Sequence, residues 1–245
     1  MGKIKQNALA QKMGDVYHYY VAIKLLLENN DWDKCLIEQC GDIVLLNGDS
    51  KQMYNIEVKH HVENKELKIY EEEFQKTLSN WFDIKNLFVE NTNLVLMTSS
   101  VISKDNVLEN WNKFNSDEKY SILDENQKKS TGDYYSNIER YFHKINNNTD
   151  ELKEVLKKFE IKHSLNNILK IKDEIKQLNH FRIFLNEESK INSVIDDLYG
   201  LIGRGLESKD KWQITKKQFD QKLIESTTLV QEKIVRTNNN IDSEN

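Results

Sequence analysis

The sequence predicts an α/β fold in which a strand hairpin lies between two amphipathic helices and a further strand follows. Three observations support this fold class. Apolar residues recur at helical spacing in two segments, two strand-like runs flank an Asn-Gly pair, and a short apolar run follows the second helix. Helices and strands that alternate along a chain are typical of α/β domains. At 245 residues the chain is long enough to bury the core that such a domain needs.

The first predicted element is a helix over about residues 15–28. Its apolar stripe, at i, i+3, i+4 and i+7 spacing, consists of Val16, Tyr19, Tyr20, Ile23, Leu26 and Leu27. Asp15 stands just before this stripe, and a carboxylate there can accept hydrogen bonds from the first backbone N–H groups of a helix. We therefore predict that the helix begins with Asp15 as its N-cap.

Two strand-like runs come next, "CLIEQCGDIVLL" at residues 35–46 and "KQMYNIEVKHH" at residues 51–61. They flank "NGDS", and Asn-Gly between such runs is a strong local signal for a β-hairpin. In the second run Ile56 and Val58 alternate with polar residues, so we expect these two side chains to face the core. The two runs therefore predict an antiparallel pair of strands.

A second helix is predicted over about residues 70–87, and a buried strand is predicted at "NLVLMTSS". The apolar face of this helix contains Phe74, Leu78, Trp81 and Phe82. Trp81 is most simply a core residue. Up to residue 100 the order of elements is therefore helix, strand, strand, helix, strand.

The rest of the chain divides by composition. Residues 103–150 are polar and rich in Asn, which predicts a connecting region, and residues 151–236 have the spacing of a helical C-terminal extension. Within that extension Thr215 and Gln218 form a capping box, and the neighbouring apolar residues Ile214 and Phe219 fit a hydrophobic staple. We expect the tail, residues 237–245, to be frayed.

Composition narrows the function classes. The net charge is -5, which is not the basic footprint of a protein that binds nucleic acid by charge alone. The two cysteines lack zinc-finger spacing, so neither a disulfide framework nor a structural zinc site is expected. No run approaches the roughly 20 apolar residues of a membrane span, and no apolar leader segment stands at the N-terminus, so a cytoplasmic protein is expected.

The predicted hairpin brings three charged residues together. Glu57 and Lys59 are two residues apart in a strand, so their side chains point to the same side of the sheet. If the hairpin closes through "NGDS", Asp42 comes opposite or nearly opposite Glu57, with Cβ atoms about 5 Å apart. Two carboxylates at that separation repel each other, so the arrangement calls for a cation.

A Mg²⁺ or Mn²⁺ ion held by Asp42 and Glu57 would satisfy this requirement and would polarise a phosphodiester, while Lys59 stabilises negative charge on phosphoryl oxygens. Glu38, four residues before Asp42, could add a ligand. The alternative is that Glu57 and Lys59 belong to the solvated face of an ordinary strand. The residues alone leave both interpretations open.

Five further residues could contact a nucleic acid. His60 and His61 adjoin the predicted site, Tyr17 lies off the apolar stripe of the first helix, and Thr98 and Ser99 end the last strand. For each of them a solvated or packing role remains the alternative.

Over about residues 11–100 the chain resembles the PD-(D/E)xK nuclease superfamily. The resemblance rests on "GDVYHYYVAIKLLL", "IEQCGDIVLL", "YNIEVKHH", "QKTLSNW" and "LVLMTSS", and is most specific to the double-stranded DNA endonuclease domain of CBASS effectors and the Lamassu nuclease subunit. It implies a restriction-endonuclease-like core at residues 1–102 with Mg²⁺-dependent cleavage of DNA. Asp42, Glu57 and Lys59 would be catalytic, and Glu38 matches an acid that often precedes the strand motif. The PD proline is replaced by Gly41.

The resemblance also implies partners. An SMC-like ATPase and a small bridging subunit would control the activity, since an unregulated DNA endonuclease harms its host. Residues 151–236 would then dock a partner or mediate homo-oligomerisation, although they could equally complete the core of this chain. Two alternatives remain: a catalytically inactive module of the same fold that binds a partner or nucleic acid, and a nuclease that cleaves RNA.

Overall fold

The computed structural model describes residues 2–48, 51–61, 65–129, 133–178, 181, 187–204 and 212–242. The chain divides into two compact units. The terminal unit consists of Met1–Gln39 and Ile168–Asn245, and the central unit consists of Cys40–Asn167. The predicted domain boundaries at residues 102 and 150 do not coincide with this division and stay predictions.

The elements of the described residues are as follows. The strands are β1 (Lys34–Ile37), β2 (Ile43–Asn47), β3 (Gln52–Lys59), β4 (Asn91–Thr98), β5 (Phe159–Lys162) and β6 (Gln213–Thr215). The α-helices are α1 (Gly2–Glu28), α2 (Glu72–Asp83), α3 (Ser116–Lys129), α4 (Asp133–Asn146), α5 (Thr149–Lys158), α6 (Ile168–Lys176), α7 (Glu188–Arg204) and α8 (Lys216–Asp242). Two 3₁₀ helices cover Lys85–Leu87 and Val107–Lys113.

The strands of the central unit form a mixed sheet in the order β5-β4-β3-β2. β2 and β3 are antiparallel, with a register that runs from Ile43 opposite Ile56 to Asn47 opposite Gln52. β3, β4 and β5 are parallel to one another. The α/β fold class and the predicted hairpin are therefore confirmed, although Asp49 and Ser50 of its loop lie outside the described residues.

β3 lies between β2 and β4 in the sheet, and side chains on both of its faces are buried. Ile56 and Val58 are 3% and 1% exposed on one face, and Asn55 and Glu57 are 0% and 7% exposed on the other. The interpretation of Glu57 as part of a solvated strand face is therefore wrong. A charged residue buried to this extent needs a partner.

Helix α2 covers the face of the sheet to which Asn55 and Glu57 belong. Its apolar residues form one core cluster with side chains of β4 and β5: Phe74, Leu78, Trp81, Phe82, Leu94, Leu96, Phe159 and Ile161. Trp81 is fully buried, as predicted for a core residue. The apolar stripe of α2 thus fixes this helix over the middle of the sheet.

In the terminal unit α1 packs against α6 and α7, and β1 pairs with β6 in antiparallel fashion. The capping box is confirmed: Gln218 N–H donates to Thr215 Oγ1 over 3.2 Å, and Thr215 N–H donates to Gln218 Oε1 over 2.9 Å. None of the described helices is long and apolar enough to cross a membrane.

Four predicted boundaries are corrected. α1 begins at Gly2 and not at Asp15, so Asp15 lies inside the helix rather than capping it. The run at residues 35–46 forms two short strands instead of one, and the segment between them includes Glu38 in a left-handed conformation with φ 52°. The region predicted as a helical extension also contains β5 and β6. α8 continues as a helix to Asp242, inside the tail predicted to be frayed.

Candidate functional site

The carboxylates of Asp42 and Glu57 converge on the ammonium group of Lys59 in the central unit. Lys59 Nζ lies 2.9 Å from Glu57 Oε2 and 3.8 Å from Asp42 Oδ2. The Asp42, Glu57 and Lys59 side chains are 14%, 10% and 29% exposed. The hairpin therefore brings together the three residues that the sequence singled out, and their side chains remain partly exposed to solvent.

Asp42 is held by the backbone of the opposite strand. Its Oδ2 atom accepts a 2.6 Å hydrogen bond from the N–H group of Val58. Asp42 directly precedes β2, and continuing the register beyond Ile43 opposite Ile56 sets it opposite Glu57. Its side chain thus extends the hydrogen bonding between β2 and β3, and a charge-assisted bond of this length limits where the carboxylate can move.

The electrostatic balance of the cluster favours a protonated lysine. Burial acts to lower the pKa of Lys59, but attraction to Glu57, Asp42 and Glu73, together with the hydrogen bond to Glu57, outweighs it, so the pKa is raised. Lys59 therefore carries a full positive charge at neutral pH. It acts as the counter-ion of the two carboxylates and cannot serve as a general base in this state.

Glu73, in the first turn of α2, is a third acidic residue near this cluster that sequence reasoning missed. Its Oε2 atom pairs with Nε2 of His61 at 2.5 Å, and its charge helps to raise the pKa of Lys59. Its Oε1 atom is buried and accepts no hydrogen bond from the residues that the structure describes. A buried carboxylate oxygen without a donor is unusual and is the kind of atom that a cation or a water molecule satisfies.

His61 is tied to the end of β4 as well as to α2. Its N–H group donates a 2.7 Å hydrogen bond to Ser99 Oγ, and Ser99 Oγ in turn donates to the carbonyl of His61 over 3.3 Å. His60 is half-buried beside it. His61 and Ser99 therefore lie together next to Lys59, whereas Thr98 is fully buried and cannot offer a surface to a ligand, which corrects its predicted role.

The predicted residues Tyr17 and Glu38 belong to the terminal unit. Tyr17 is fully buried, and its pKa is raised by burial and by the charge of Glu174, so its predicted contact with nucleic acid is wrong. Glu38 is exposed and lies 3.3 Å from His18, measured from Oε1 to Nδ1. The arrangement inside this unit therefore gives Glu38 an imidazole partner that the sequence did not predict.

Asn55 links the helix α2 to the segment that carries Asp42. Its Nδ2 group donates a 2.7 Å hydrogen bond to the carbonyl of Cys40, and its Oδ1 atom accepts a 2.9 Å hydrogen bond from Trp81 Nε1. Sequence reasoning missed this residue, although Asn55 stands two positions before Glu57 and thus on the same face of β3. The signal that could have revealed its role is an asparagine in a run predicted to be a strand, because a buried amide needs hydrogen-bond partners.

The donor set of this cluster fits a hard divalent cation. Asp42 and Glu57 offer carboxylate oxygens that meet on one positive charge, and the charge of Glu73 acts on the same lysine. Mg²⁺ and Mn²⁺ take oxygen ligands of this type. Together with Lys59, such a centre has the groups that act on a phosphate ester.

No family model and no curated protein matches the chain. Among solved structures, the Moraxella osloensis Cap4 SAVED/CARF-domain containing receptor is 14% identical, with a TM-score of 0.50 over 87% of this chain and 47% of the receptor. The Acinetobacter baumannii Cap4 receptor bound to the cyclic trinucleotide 2′3′3′-cAAA is also 14% identical, with a TM-score of 0.51 over 90% of this chain and 47% of the receptor. At this identity the matches establish a shared fold. The chain thus spans about half the length of these receptors.

These matches correct the family prediction. The structures that share the fold are named as receptors, one with a bound cyclic trinucleotide, and not as PD-(D/E)xK nucleases. They contradict the prediction of a double-stranded DNA endonuclease of a Lamassu-like system. They give no support to a DNA substrate or to an SMC-like ATPase as partner, and the restriction-endonuclease-like core is not confirmed. The part of the fold prediction that is confirmed is the α/β class, with a mixed sheet.

Proposed function

We propose that the cluster of Asp42, Glu57 and Lys59 binds Mg²⁺ or Mn²⁺ and that the chain hydrolyses a phosphodiester bond of a nucleotide ligand. The observation that carries this proposal is the convergence of two largely buried carboxylates on one lysine in the hairpin of a central sheet. The charge of Glu73 supports it, because a third acidic residue that acts on Lys59 adds to the negative potential that attracts a divalent cation.

Each residue has a separate role in the proposed reaction. Asp42 and Glu57 would hold the cation, and when bound the cation polarises the phosphodiester and lowers the pKa of a water molecule. Asp42 is held ready for this by the Val58 N–H group. Lys59 remains protonated and stabilises the negative charge that develops on the phosphoryl oxygens. His61, whose Nε2 atom pairs with Glu73, lies beside Lys59.

The test is a hydrolysis assay with 2′3′3′-cAAA and a labelled RNA as substrates and circular duplex DNA as the negative control. We expect cleavage of at least one of the two substrates with Mg²⁺, none with EDTA, and a loss of at least about 100-fold in Asp42→Asn and Lys59→Met. The matched controls are Asp83→Asn and Lys144→Met, which break an exposed pair 2.6 Å apart in the same unit. Cleavage of no substrate, or cleavage by Asp42→Asn at the wild-type rate, would contradict the proposal.

A second candidate is a receptor that binds a cyclic oligonucleotide without cleaving it. The cyclic trinucleotide in the matched Acinetobacter baumannii structure favours this candidate, although it is a ligand of the whole receptor, of which this chain spans 47%. Calorimetric titration with 2′3′3′-cAAA, once in Mg²⁺ and once in EDTA, distinguishes the two candidates. Binding that neither requires a metal nor weakens in Asp42→Asn would favour the receptor, whereas metal-dependent binding would favour the hydrolase.

A further inference from the structure

Asn55 makes two hydrogen bonds that join three parts of the central unit. It lies in the middle of β3, donates to the carbonyl of Cys40 over 2.7 Å and accepts from Trp81 Nε1 in α2 over 2.9 Å. The residue is 0% exposed, so both bonds are shielded from water. A buried amide with both ends satisfied is rigid, because losing either bond leaves an unsatisfied polar group.

The segment from Cys40 to Asp42 is seated directly on this amide. A Cβ atom at Gly41 would lie 2.4 Å from Asn55 Oδ1 and 3.2 Å from its Cγ, so only glycine permits this approach. Asp42 comes next in the chain and reaches across to the N–H group of Val58 at 2.6 Å. The position of the Asp42 carboxylate therefore follows from how closely Gly41 rests on Asn55.

We propose that Asn55 is a positioning residue, which fixes the Asp42 carboxylate against β3 through Cys40 and Gly41 and is itself anchored by Trp81. The two hydrogen bonds of Asn55 make the site depend on α2, since a shift of this helix would move the Trp81 indole and break its hydrogen bond to Asn55. This inference deepens the proposed function and rests on it in one respect, because the proposed function is what gives the position of the Asp42 carboxylate a role in cation binding. The positioning itself is a property of the metal-free chain.

A purely structural role for Asn55 makes a different prediction from a positioning role. If Asn55 only stabilises the core, its removal weakens the whole central unit equally. If it positions Asp42, its removal affects the hydrogen bond between Asp42 and Val58 first. The amide of Val58 reports on that bond directly, because its acceptor is a side chain and not a carbonyl of β2.

The experiment is amide hydrogen exchange followed by NMR in EDTA for wild type, Asn55→Ala, Asp42→Ala and Asn112→Ala. Asn112 is the control: its side chain also makes two hydrogen bonds in the same unit, with the Ile161 N–H group and the Ile161 carbonyl, both at 2.8 Å, at a more exposed position. We expect Val58 to exchange at least about 10-fold faster in Asn55→Ala with Ile161 unchanged, and Asp42→Ala to show the same loss. Asn112→Ala should accelerate Ile161 alone.

Two results would overturn the inference. One is a Val58 amide that exchanges at the wild-type rate in folded Asn55→Ala. The other is equal acceleration of Val58 and Ile161, which would mean a general loss of stability. If Asn55→Ala does not fold, Trp81→Phe removes the Nε1 donor and keeps an aromatic ring at this buried position. The exchange rates of the Val58 and Ile161 amides are then compared in this variant in the same way.

The outcome is independent of catalysis. If the wild-type chain cleaves no phosphodiester, the exchange of Val58 still decides whether Asn55 positions Asp42, and only the proposed function is lost. If the wild type is active and binds Mg²⁺, Asn55→Ala should also bind Mg²⁺ at least about 10-fold more weakly than Asn112→Ala at a similar melting temperature. Equal Mg²⁺ affinity in these two variants would contradict the positioning role.

Discussion

Gly41 and Asn55 are in such close approach that a methyl group on Gly41 would overlap the Asn55 amide oxygen, at 2.4 Å. We predict that Gly41→Ala destabilises the chain by about 1–3 kcal/mol, as overpacked cores do. Since the clash is with one side chain, Asn55→Ala in the same chain should recover part of that loss. Urea unfolding of both single variants and the double variant measures the coupling.

Gly14 in α1 provides the control for this substitution, because no atom lies within 4 Å of its added Cβ. Gly14→Ala should stabilise the chain by about 0.5–1 kcal/mol, since alanine loses less backbone entropy in a helix. If Gly41→Ala were equally harmless, or if its effect and that of Asn55→Ala simply added, the close contact would not constrain the segment before Asp42.

Replacing Lys59 should make the chain depend on a divalent cation. In Lys59→Met the Asp42 and Glu57 carboxylates lose the ammonium group between them, so we expect a loss of about 2 kcal/mol in EDTA at pH 7. Mg²⁺ should then raise the melting temperature more in this variant than in the wild type. Thermal denaturation with and without Mg²⁺ checks this, with Lys144→Met as the control. An equal Mg²⁺ effect in all three proteins would contradict the cation site.

The burial of Lys119 predicts that the free energy of unfolding of this chain depends on pH. Its ammonium group is buried and donates to the carbonyls of Leu156 and Phe159 at 3.1 and 2.8 Å. Burial lowers its pKa to about 8 from an ordinary value of 10.5. Between these pH values the unfolded chain binds more protons than the folded chain, so this residue makes the folded state more stable as the pH rises.

The variant Lys119→Met removes that contribution. From pH 7 to pH 10 the free energy of unfolding of the wild type should rise relative to that of Lys119→Met by on the order of 2 kcal/mol. Urea unfolding of both proteins over this range measures the difference, and other ionisable groups cancel in the comparison. A difference that does not change with pH would mean that the Lys119 pKa is close to its ordinary value in the folded chain.

The two cysteines should differ sharply in reactivity. Cys35 is fully buried, and burial raises the pKa of its thiol to about 12, whereas Cys40 is partly exposed. Cys35, which remains in Cys40→Ser, should react with iodoacetamide at least roughly 100-fold more slowly than Cys40, which remains in Cys35→Ser. The reason is that the chain must open before Cys35 can react. Mass spectrometry follows the labelling. Above pH 9 the unfolded thiol ionises first, so Cys35 also reduces stability as the pH rises further.

The features that could be predicted from the sequence are those that depend on residues close together along the chain. The Asn-Gly pair and the alternation around Ile56 gave the hairpin and its register, and these are local properties. The placement of Asp42 opposite Glu57, on the face of the sheet that also carries Lys59, follows from that register. The capping box at Thr215 is local in the same sense, and its hydrogen bonds are present.

What the sequence did not predict depends on packing between distant segments. The burial of Glu57 requires α2 above the sheet and β4 beside β3, and neither can be deduced from the alternation within one strand. Asn55 and Glu73 gain their roles from contacts with Trp81 and His61, which are 26 and 12 residues away. The resemblance to nucleases rested on short motifs, and a short motif does not determine which family a chain belongs to.

The contact between Gly41 and Asn55 has an evolutionary consequence. In relatives of this chain the two positions should not vary independently: a side chain larger than hydrogen at position 41 should accompany a smaller residue at position 55. Where position 55 loses its amide, the indole at position 81 loses its acceptor too and should give way to another apolar residue. An alignment of sufficient depth would therefore show these three positions changing together.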